Sequence, residues 1–426
     1  MYDDASITIT SAPKKPRSNR ISSVEFWRFF FTFFVCIYHL DLFFPSITKL
    51  IPAGSSAVEF FFILAGFTMA MSARRRTSKL TERMSTREAH ALAIDFVRKK
   101  LKATYPILIG VLIFGFIIYP LLGVQSMGAM PGVKPNILRT LMNTEWELLF
   151  LVGTPFGVNS TTLGPMWFLT ALMLVGYVYT YAINKNYEFT TFAAPAIGIL
   201  GYIFFTLNSN MMIDHSVKMG LFNAGTVHAI SEMSFGVGVY CIYDHVSKKE
   251  FGKLGIILLS LLEAYAIYRF FALTIHQPIS LDNFRKIPYI MMIIFFSFLN
   301  KTYISRFLNQ PFWRAFGHIS LAMYLAHVHL IQVYMQGLMW VKGQLYMNMY
   351  SSSSAGSWLL FLSGTGGYND SFQPIPLGWK DATLYVLLVM LVACLIMAGG
   401  YGVRKGYAAL KVKLAPPPQP TAVEGE

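Results

Sequence analysis

The sequence has few charged residues and very few cysteines. Asp, Glu, Lys and Arg make up only 13% of the 426 residues, whereas 54% are hydrophobic. A soluble domain cannot keep so much apolar surface away from water, so the composition excludes an ordinary soluble protein. The three cysteines, Cys36, Cys241 and Cys394, lie in separate apolar runs. Their spacing predicts neither a disulfide framework nor a metal site.

Long apolar runs recur along the whole chain. Because backbone groups cannot hydrogen-bond to lipid, a run of about 20 apolar residues predicts a membrane-spanning helix. We therefore expect an all-α, polytopic membrane bundle of about ten transmembrane helices, of which the eighth is short for a span. The ten runs cover residues 27–47, 57–73, 101–122, 166–184, 189–206, 223–243, 254–274, 287–300, 319–340 and 382–402.

The net charge of +14 is distributed as membrane topology requires. If the first segment is placed in the cytoplasm, 25 of the 35 Lys and Arg residues fall in cytoplasmic segments. This bias is typical of inner segments of membrane proteins. It predicts a multi-pass protein of the plasma (inner) membrane with both termini in the cytoplasm. The bilayer, and not a nucleic acid, is the expected partner of these basic residues.

Three segments of the chain differ in composition. Residues 1–24 form a polar, basic N-terminal segment without a cleavable signal pattern. Residues 25–405 contain all the apolar runs and form the predicted transmembrane domain. Residues 406–426 form a short cytoplasmic tail that includes "APPPQPTAVEGE", and its proline content predicts disorder.

The first apolar run, "VEFWRFFFTFFVCIYHL", contains three ionisable residues, Glu25, Arg28 and His39. Eleven residues separate Arg28 from His39, which is about three helical turns with a mismatch of about 20°. Both side chains therefore project from one helical face, about 16 Å apart along the axis. Glu25 lies one turn before Arg28 and can pair with it. Ionisable residues inside a membrane helix indicate a functional site.

Five motifs, in order, carry a resemblance to a known family. After the Glu-Arg-His pattern come "VEFFFILAGF", "FVRKKLKATYPILI", "PMWFLTALML" and "FGHISLAMYLAHVHLI". Together they resemble the integral-membrane acyltransferases of the acyltransferase-3 type, over residues 20 to about 405. Two positions depart from the family pattern. Ala103 stands where the family often has Arg, and Leu172 stands where many members have Glu.

The resemblance implies transfer of an acyl group, commonly acetyl from acetyl-CoA, to a hydroxyl of an envelope or exported glycan. It implies acyl-CoA as a donor substrate and no tightly bound cofactor. His39 then serves as the general base, since a neutral imidazole can take the hydroxyl proton. It could instead carry the acyl group as an acyl-imidazole. Glu59 is the candidate carboxylate that orients His39; the alternative is an acid that caps its own helix.

Basic residues on the cytoplasmic side are candidates for binding CoA. Their guanidinium and ammonium groups could hold the CoA phosphates, and Arg28 could polarise the thioester carbonyl. The alternative for each residue is a topological role or contact with anionic lipid, and for Arg28 a structural pair with Glu25. The candidates are Arg28, Arg74, Arg75, Arg98, Lys99 and Lys100.

Further polar residues are candidates for binding or supporting the substrate. Ser320, Tyr324 and His327 lie at i, i+4 and i+7 and therefore share one helical stripe. Trp167 could anchor the helix at the interface or stack on a sugar. His228 and Glu232, four residues apart, predict an internal polar bridge.

Two other functional classes fit a polytopic bundle with buried charge. One is a transporter or flippase for an envelope glycan or a lipid-linked precursor, which would predict inverted repeats and interrupted helices; the sequence shows neither. The other is a sensor or scaffold without chemistry. For an acyltransferase, residues 123–165 and 341–381 form the two longest predicted outer loops. The second is rich in Ser, Gly and aromatic residues and suits a sugar-like acceptor, so product would form outside. The alternative is acylation of a lipid-linked sugar on the cytoplasmic side.

Overall fold

The computed structural model of the chain is almost entirely helical. It describes residues 21–43, 49–79, 84–122, 144–152, 154, 163, 165–208, 218–219, 222–276, 281–347 and 378–413. Residues 1–20 of the predicted N-terminal segment, residues 414–426 of the predicted tail and most of both predicted outer loops lie outside these residues. Residues 22–24 and 406–413 are helical.

Twelve α-helices are found in the described ranges, which confirms the all-α prediction. Two 3₁₀ turns, Gly54–Ser56 and Leu281–Lys286, precede helices. Two strands of two residues each, β1 (Lys218–Met219) and β2 (Phe222–Asn223), pair antiparallel. The helices are α1 (Ser22–Phe43), α2 (Ala57–Thr77), α3 (Thr86–Leu122), α4 (Glu145–Leu148), α5 (Met166–Lys185), α6 (Tyr187–Leu207), α7 (Ala224–Val246), α8 (Lys253–His276), α9 (Ile287–Leu299), α10 (Tyr303–Leu308), α11 (Trp313–Met347) and α12 (Trp379–Lys413).

Large apolar side chains cover the outside of the bundle. Phe192 and Leu207 on α6 and Leu261 on α8 are exposed by 84%, 78% and 62%, as expected for helices that face lipid. Each predicted run coincides with one helix, but the total of ten spans remains a prediction. Six described helices are long and apolar enough to cross a membrane: Gly54–Thr77, Thr86–Ile118, Met166–Lys185, Tyr187–Leu207, Lys253–His276 and Trp379–Val403.

Two glycines bring α2 and α7 into close contact. A β-carbon on Gly66 would overlap the Met233 carbonyl group, and one on Gly236 would overlap the Ile63 carbonyl oxygen. Small residues let membrane helices approach closely and gain dispersion contacts. The backbones of α2 and α7 therefore lie against each other, which fixes the direction in which the first turn of α2 faces.

Helices α1 and α11 run parallel to each other. At their beginnings, Arg314 Nε donates a hydrogen bond to Ser22 Oγ at 3.1 Å. Further along, His39 lies beside His327. Both helices therefore start at the same end of the bundle. Residues near the start of α1 contact residues near the start of α11, and residues further along α1 contact residues further along α11.

Several helix ends that carry basic residues meet at one end of the bundle, which we call the basic end. Arg76 at the end of α2 donates to Asn184 at the end of α5 (3.1 Å). Arg74 Nε lies 3.8 Å from an Asp244 carboxylate oxygen at the end of α7, and Lys301 donates to a carbonyl just after that helix. This gathering fits the expected cytoplasmic face; the side of the membrane remains a prediction.

Helix α3 extends well beyond the predicted run 101–122. It begins at Thr86 and spans 37 residues, about 55 Å of helix. Its start is capped by a reciprocal pair in which Ser85 N–H donates to the Glu88 carboxylate and Glu88 N–H donates to Ser85 Oγ. The basic run 98–100 therefore lies within a continuous helix that leads into the bundle.

Candidate active site

His39 and His327 form a pair between α1 and α11. His39 Nδ1 lies 3.0 Å from the Val35 carbonyl oxygen and 3.2 Å from His327 Nε2. His327 Nδ1 lies 2.5 Å from the Tyr324 carbonyl oxygen. His39 is half-buried and His327 is buried. The sequence predicted each histidine separately, and the structure shows that they are in contact.

The hydrogen bonds determine which ring nitrogen of His39 is free. A carbonyl oxygen can only accept, so the nitrogen that faces it carries the proton. The Nδ1 atoms of His39 and His327 both face carbonyl oxygens and are donors. His327 Nε2 therefore accepts from the same Nδ1–H that His39 shares with Val35. His39 Nε2 keeps its lone pair and bonds to no residue that the structure describes, so it can accept a proton or attack a carbonyl carbon.

Two tyrosines hold the backbone around His327. Tyr385 O–H on α12 donates to the His327 carbonyl oxygen at 2.7 Å. Tyr324 O–H donates to the Pro165 carbonyl oxygen at 2.9 Å, which ties α11 to the start of α5. No sequence pattern pointed to Tyr385, because it lies in a different apolar run and only helix packing brings it to His327.

A cavity of about 550 Å³ lies at the basic end, between α1, α2, α3, α5 and α11. Three cationic side chains line it, from Arg28, Arg75 and Lys100, and its one acidic lining residue among those described is Glu25. Its inner wall includes Phe168 and Tyr324. Neither histidine lines the cavity, but the wall residue Tyr324 lies beside His327, with their ring centroids 5.8 Å apart.

Glu25 and Arg28 form the predicted ion pair. Arg28 Nη1 lies 3.0 Å from Glu25 Oε2, and the Glu25 side chain is buried while that of Arg28 is 31% exposed. A β-carbon on Gly317 would overlap the Glu25 carboxylate. The glycine of the late motif on α11 therefore leaves the space that this carboxylate occupies, and the carboxylate holds Arg28 at the cavity wall.

Residues 21–398 match the family model described as "Acyltransferase domain". The chain belongs to this acyltransferase family. No curated protein and no solved structure matches the chain. The family match confirms the resemblance seen in the five motifs and shows a membrane-embedded acyltransferase that transfers groups other than aminoacyl groups. It supports the enzyme over the transporter and scaffold alternatives.

The remaining basic candidates of this acyltransferase lie outside the cavity. Arg74 approaches Asp244 and lies over the ring of Tyr187. Lys99 Nζ pairs with an Asp95 carboxylate oxygen at 2.5 Å on the exposed side of α3, and Arg98 is exposed. Of the six predicted basic residues, three therefore line the cavity and three lie at the surface. The cavity residues are Arg28, Arg75 and Lys100, and the surface residues are Arg74, Arg98 and Lys99.

Glu59 does not contact His39. Neither carboxylate oxygen of Glu59 has a hydrogen-bond partner among the residues described, and the contacts of the His39 ring are with Val35 and His327. The prediction that Glu59 orients His39 is therefore not supported, and His327 takes that place. The reason is the close packing of α2 on α7, which turns the start of α2 away from α1 and towards His228.

Trp167 is largely covered by protein. Its side chain is 8% exposed, and its ring lies where a β-carbon on Gly225 would be. This position packs α5 against the start of α7 and leaves little ring surface for a sugar. Ser320 lines the cavity and donates to the Phe316 carbonyl oxygen, so it contributes to the cavity wall as the stripe on α11 predicted.

Both departures from the family pattern line the cavity. Ala103 and Leu172 stand on its wall, where the family often has a cation and a carboxylate. Thr68 and Thr104 were not among the predicted site residues, and they add two hydroxyls to the wall.

Helical periodicity could have identified Thr68. The lining residues of α2, from Phe61 to Arg75, recur at helical spacing and therefore share one face with it.

Proposed function

We propose that this membrane acyltransferase takes an acyl group, commonly acetyl, from acyl-CoA bound in the cavity at the basic end. It transfers the group to a hydroxyl of a cell-envelope or exported glycan. We place the protein in the plasma membrane with the basic end and both termini in the cytoplasm. The observation that carries the proposal is the cavity with three cations, whose wall residue Tyr324 lies beside His327 of the histidine pair.

The donor assignment rests on charge and on the shape of the cavity. CoA carries phosphate groups, and Arg28, Arg75 and Lys100 present guanidinium and ammonium donors to one enclosed space. Charge-assisted bonds of this kind are among the strongest in proteins. Much of the remaining wall is apolar or aromatic, including Phe61 and Phe168, which suits the less polar pantetheine arm and the acyl group. The phosphates therefore bind at the three cations and the thioester points towards Tyr324.

His39 supplies the base. Its Nε2 lone pair takes the proton of the acceptor hydroxyl while the hydroxyl oxygen bonds to the thioester carbon. The tetrahedral intermediate collapses as the carbon–sulfur bond breaks, and the proton on Nε2 passes to the departing CoA sulfur. The Nδ1–H remains bonded to Val35 and His327 throughout, so the ring keeps its orientation and its positive charge is stabilised while it lasts.

His39 could act instead as an acyl carrier through the same Nε2 atom. The thioester carbon would bond to Nε2 as the carbon–sulfur bond breaks, and CoA would leave as its thiolate. The acceptor hydroxyl would then attack the acyl-imidazole, and its proton would pass to the CoA thiolate as the bond to Nε2 breaks. Incubation of the enzyme with labelled acyl-CoA and no acceptor separates the two roles. Label bound covalently to His39, lost on addition of acceptor, would establish the carrier; its absence with normal turnover supports the base.

The donor site can be tested with two adjacent lysines. Lys100 lines the cavity, whereas Lys99 pairs with Asp95 at the surface. We expect Lys100→Ala to raise the KM for acyl-CoA by about 10- to 150-fold, from a charge-assisted bond of about 1.5–3 kcal/mol. Lys99→Ala is the matched control and should leave the KM unchanged. Equal effects in both variants would refute the donor site.

The role of His39 is tested by His39→Ala. We expect kcat to fall by about 10²- to 10⁴-fold, the usual contribution of a general base, while acyl-CoA binding remains, because His39 does not line the cavity. Expression level and detergent elution volume control for folding. Acyl transfer at the wild-type rate would remove His39 from the chemistry.

The direction of transfer follows from the position of His39. Along α1 it lies about 16 Å deeper than Arg28, towards the opposite end of the bundle. With the basic end in the cytoplasm, we expect product at the outer face. Oriented, sealed vesicles given labelled acetyl-CoA on the cytoplasmic side alone can test this. Product found only on the cytoplasmic side would favour acylation of a lipid-linked sugar before export.

A further inference from the structure

Three buried side chains that the acyl-transfer site does not use meet between α2 and α7. Glu59 comes from the first turn of α2, and His228 and Glu232 come from the start of α7. All three are 0% exposed. One ligand-type atom from each residue can be chosen so that the three atoms lie within 4.8 Å of one another. We call these residues the buried triad.

The predicted bridge within this triad is confirmed. His228 Nδ1 lies 2.8 Å from Glu232 Oε1, and Tyr202 O–H donates to the same oxygen at 3.1 Å. Glu232 Oε1 is thus an acceptor, so His228 carries its proton on Nδ1 and has a lone pair on Nε2. Phe205 stacks on the imidazole with centroids 3.9 Å apart. The Nε2 lone pair points away from Glu232, so an ion that bonds to both residues must take the place of the proton between Nδ1 and Oε1. The ring proton then moves to Nε2.

Four buried atoms of the triad have no hydrogen-bond partner among the described residues. They are both carboxylate oxygens of Glu59, Oε2 of Glu232 and Nε2 of His228. A buried polar atom without a partner costs about 1–3 kcal/mol. When both carboxyl groups are ionised, the three carboxylate oxygens are acceptors without a donor. A cation bonded to Glu59 and Glu232 would satisfy these oxygens and offset the repulsion between the two carboxylates.

One positive charge already lies near the triad. Lys286, at the end of the 3₁₀ turn before α9, interacts electrostatically with Glu59. It is a single positive charge against two carboxyl groups. This ammonium can balance at most one of them when both are ionised.

We propose that the buried triad binds one divalent transition-metal ion, of the Zn²⁺ or Mn²⁺ class, through Glu59, His228 and Glu232. The mixture of one imidazole and two carboxylates suits these ions, whereas Ca²⁺ and Mg²⁺ prefer oxygen ligands alone. The ion joins the start of α2 to the start of α7, at the end of these helices opposite Arg74 and Asp244. It stabilises the bundle from a position outside the acyl-CoA cavity.

Metal content of the purified full-length protein tests this proposal. The protein carries an affinity tag without histidine, is stripped with a chelator in detergent, and is then equilibrated with Zn²⁺ or Mn²⁺ and desalted. We expect one ion per wild-type chain by mass spectrometry of the metal. Glu59→Gln and His228→Phe should each retain far less, the latter while preserving the stack on Phe205. Glu263→Gln is the matched control, because Glu263 is also buried but bonds to Thr302.

Two further measurements do not depend on acyl transfer, and the first needs only the wild-type protein. Bound Mn²⁺ should give the electron paramagnetic resonance signal of a site with nitrogen and oxygen ligands. Zn²⁺ should raise the Tm of wild type and of Glu263→Gln, but not of Glu59→Gln. A wild-type protein that binds no ion would overturn the proposal. So would metal content that Glu59→Gln and His228→Phe leave unchanged, or an infrared carboxylic-acid band of Glu59 that persists with the metal present.

Discussion

The contact between His39 and His327 gives a quantitative prediction for His327→Leu. Leucine has similar bulk but cannot accept the hydrogen bond from His39 Nδ1–H. That N–H stays bonded to the Val35 carbonyl oxygen at 3.0 Å, so His39 keeps its proton on Nδ1 and its lone pair on Nε2. The substitution removes one of two acceptors and leaves the base in place.

The size of the effect follows from the geometry of this bond. A neutral hydrogen bond contributes about 0.5–1.5 kcal/mol. The bond to His327 is 3.2 Å long and shares its donor with Val35, so we expect the lower part of this range. A loss of about 0.5–1 kcal/mol lowers kcat about two- to five-fold. The KM for acyl-CoA should not change, because His327 does not line the cavity.

Steady-state assays of the full-length protein in detergent provide the measurement. His329→Leu is the matched control, because His329 is buried on the same helix and packs against Gly115. It should leave kcat near the wild-type value. His327→Gln retains an acceptor and should recover most of the loss. A fall of more than a hundredfold in His327→Leu would mean that His327 itself carries the proton, and an equal fall in His329→Leu would refute the positioning role.

Two further substitutions test the packing around the site. Gly317→Ala should destabilise the protein by about 1–3 kcal/mol and weaken acyl-CoA binding, because the new β-carbon displaces the Glu25 carboxylate. Gly400→Ala is the control and should keep the wild-type Tm, because nothing lies within 4 Å of its β-carbon. A similar loss of stability in both variants would contradict this reasoning. Tyr385→Phe removes a hydrogen bond to the His327 carbonyl oxygen and should cost about 1 kcal/mol of stability in a denaturation series. Its kcat should stay within twofold of wild type, since the imidazole keeps its partners, and a larger fall would show that the backbone bond orients the ring.

Much of the architecture was readable from composition and periodicity. The long apolar runs coincide with helices because lipid leaves the backbone no other way to satisfy its hydrogen bonds. The pairing of Glu25 with Arg28 was also predictable, since residues three apart on a helix are always neighbours. The same holds for the bridge between His228 and Glu232. These features depend only on helix geometry.

Contacts between helices could not be read in this way. Adjacent lysines, Lys99 and Lys100, look alike in the sequence, and only the packing of α3 decides that one faces the cavity and the other faces outwards. Glu59 was predicted to orient His39 because a carboxylate usually holds such a base through its second ring nitrogen. Helical periodicity tells which side chains lie on the same face of one helix. It does not tell which neighbouring helix that face will contact.

The sequence by itself therefore determined the helices and the concentration of Lys and Arg in the predicted cytoplasmic segments. It also identified His39 and Arg28 as candidate site residues. The tertiary structure decided the partner of His39, the tautomer of its ring, the three cations of the cavity and the buried triad. The physical reason is close packing. Glycines such as Gly66 and Gly317 set how near two helices come, and a shift of one helical face by a single residue changes which side chains touch.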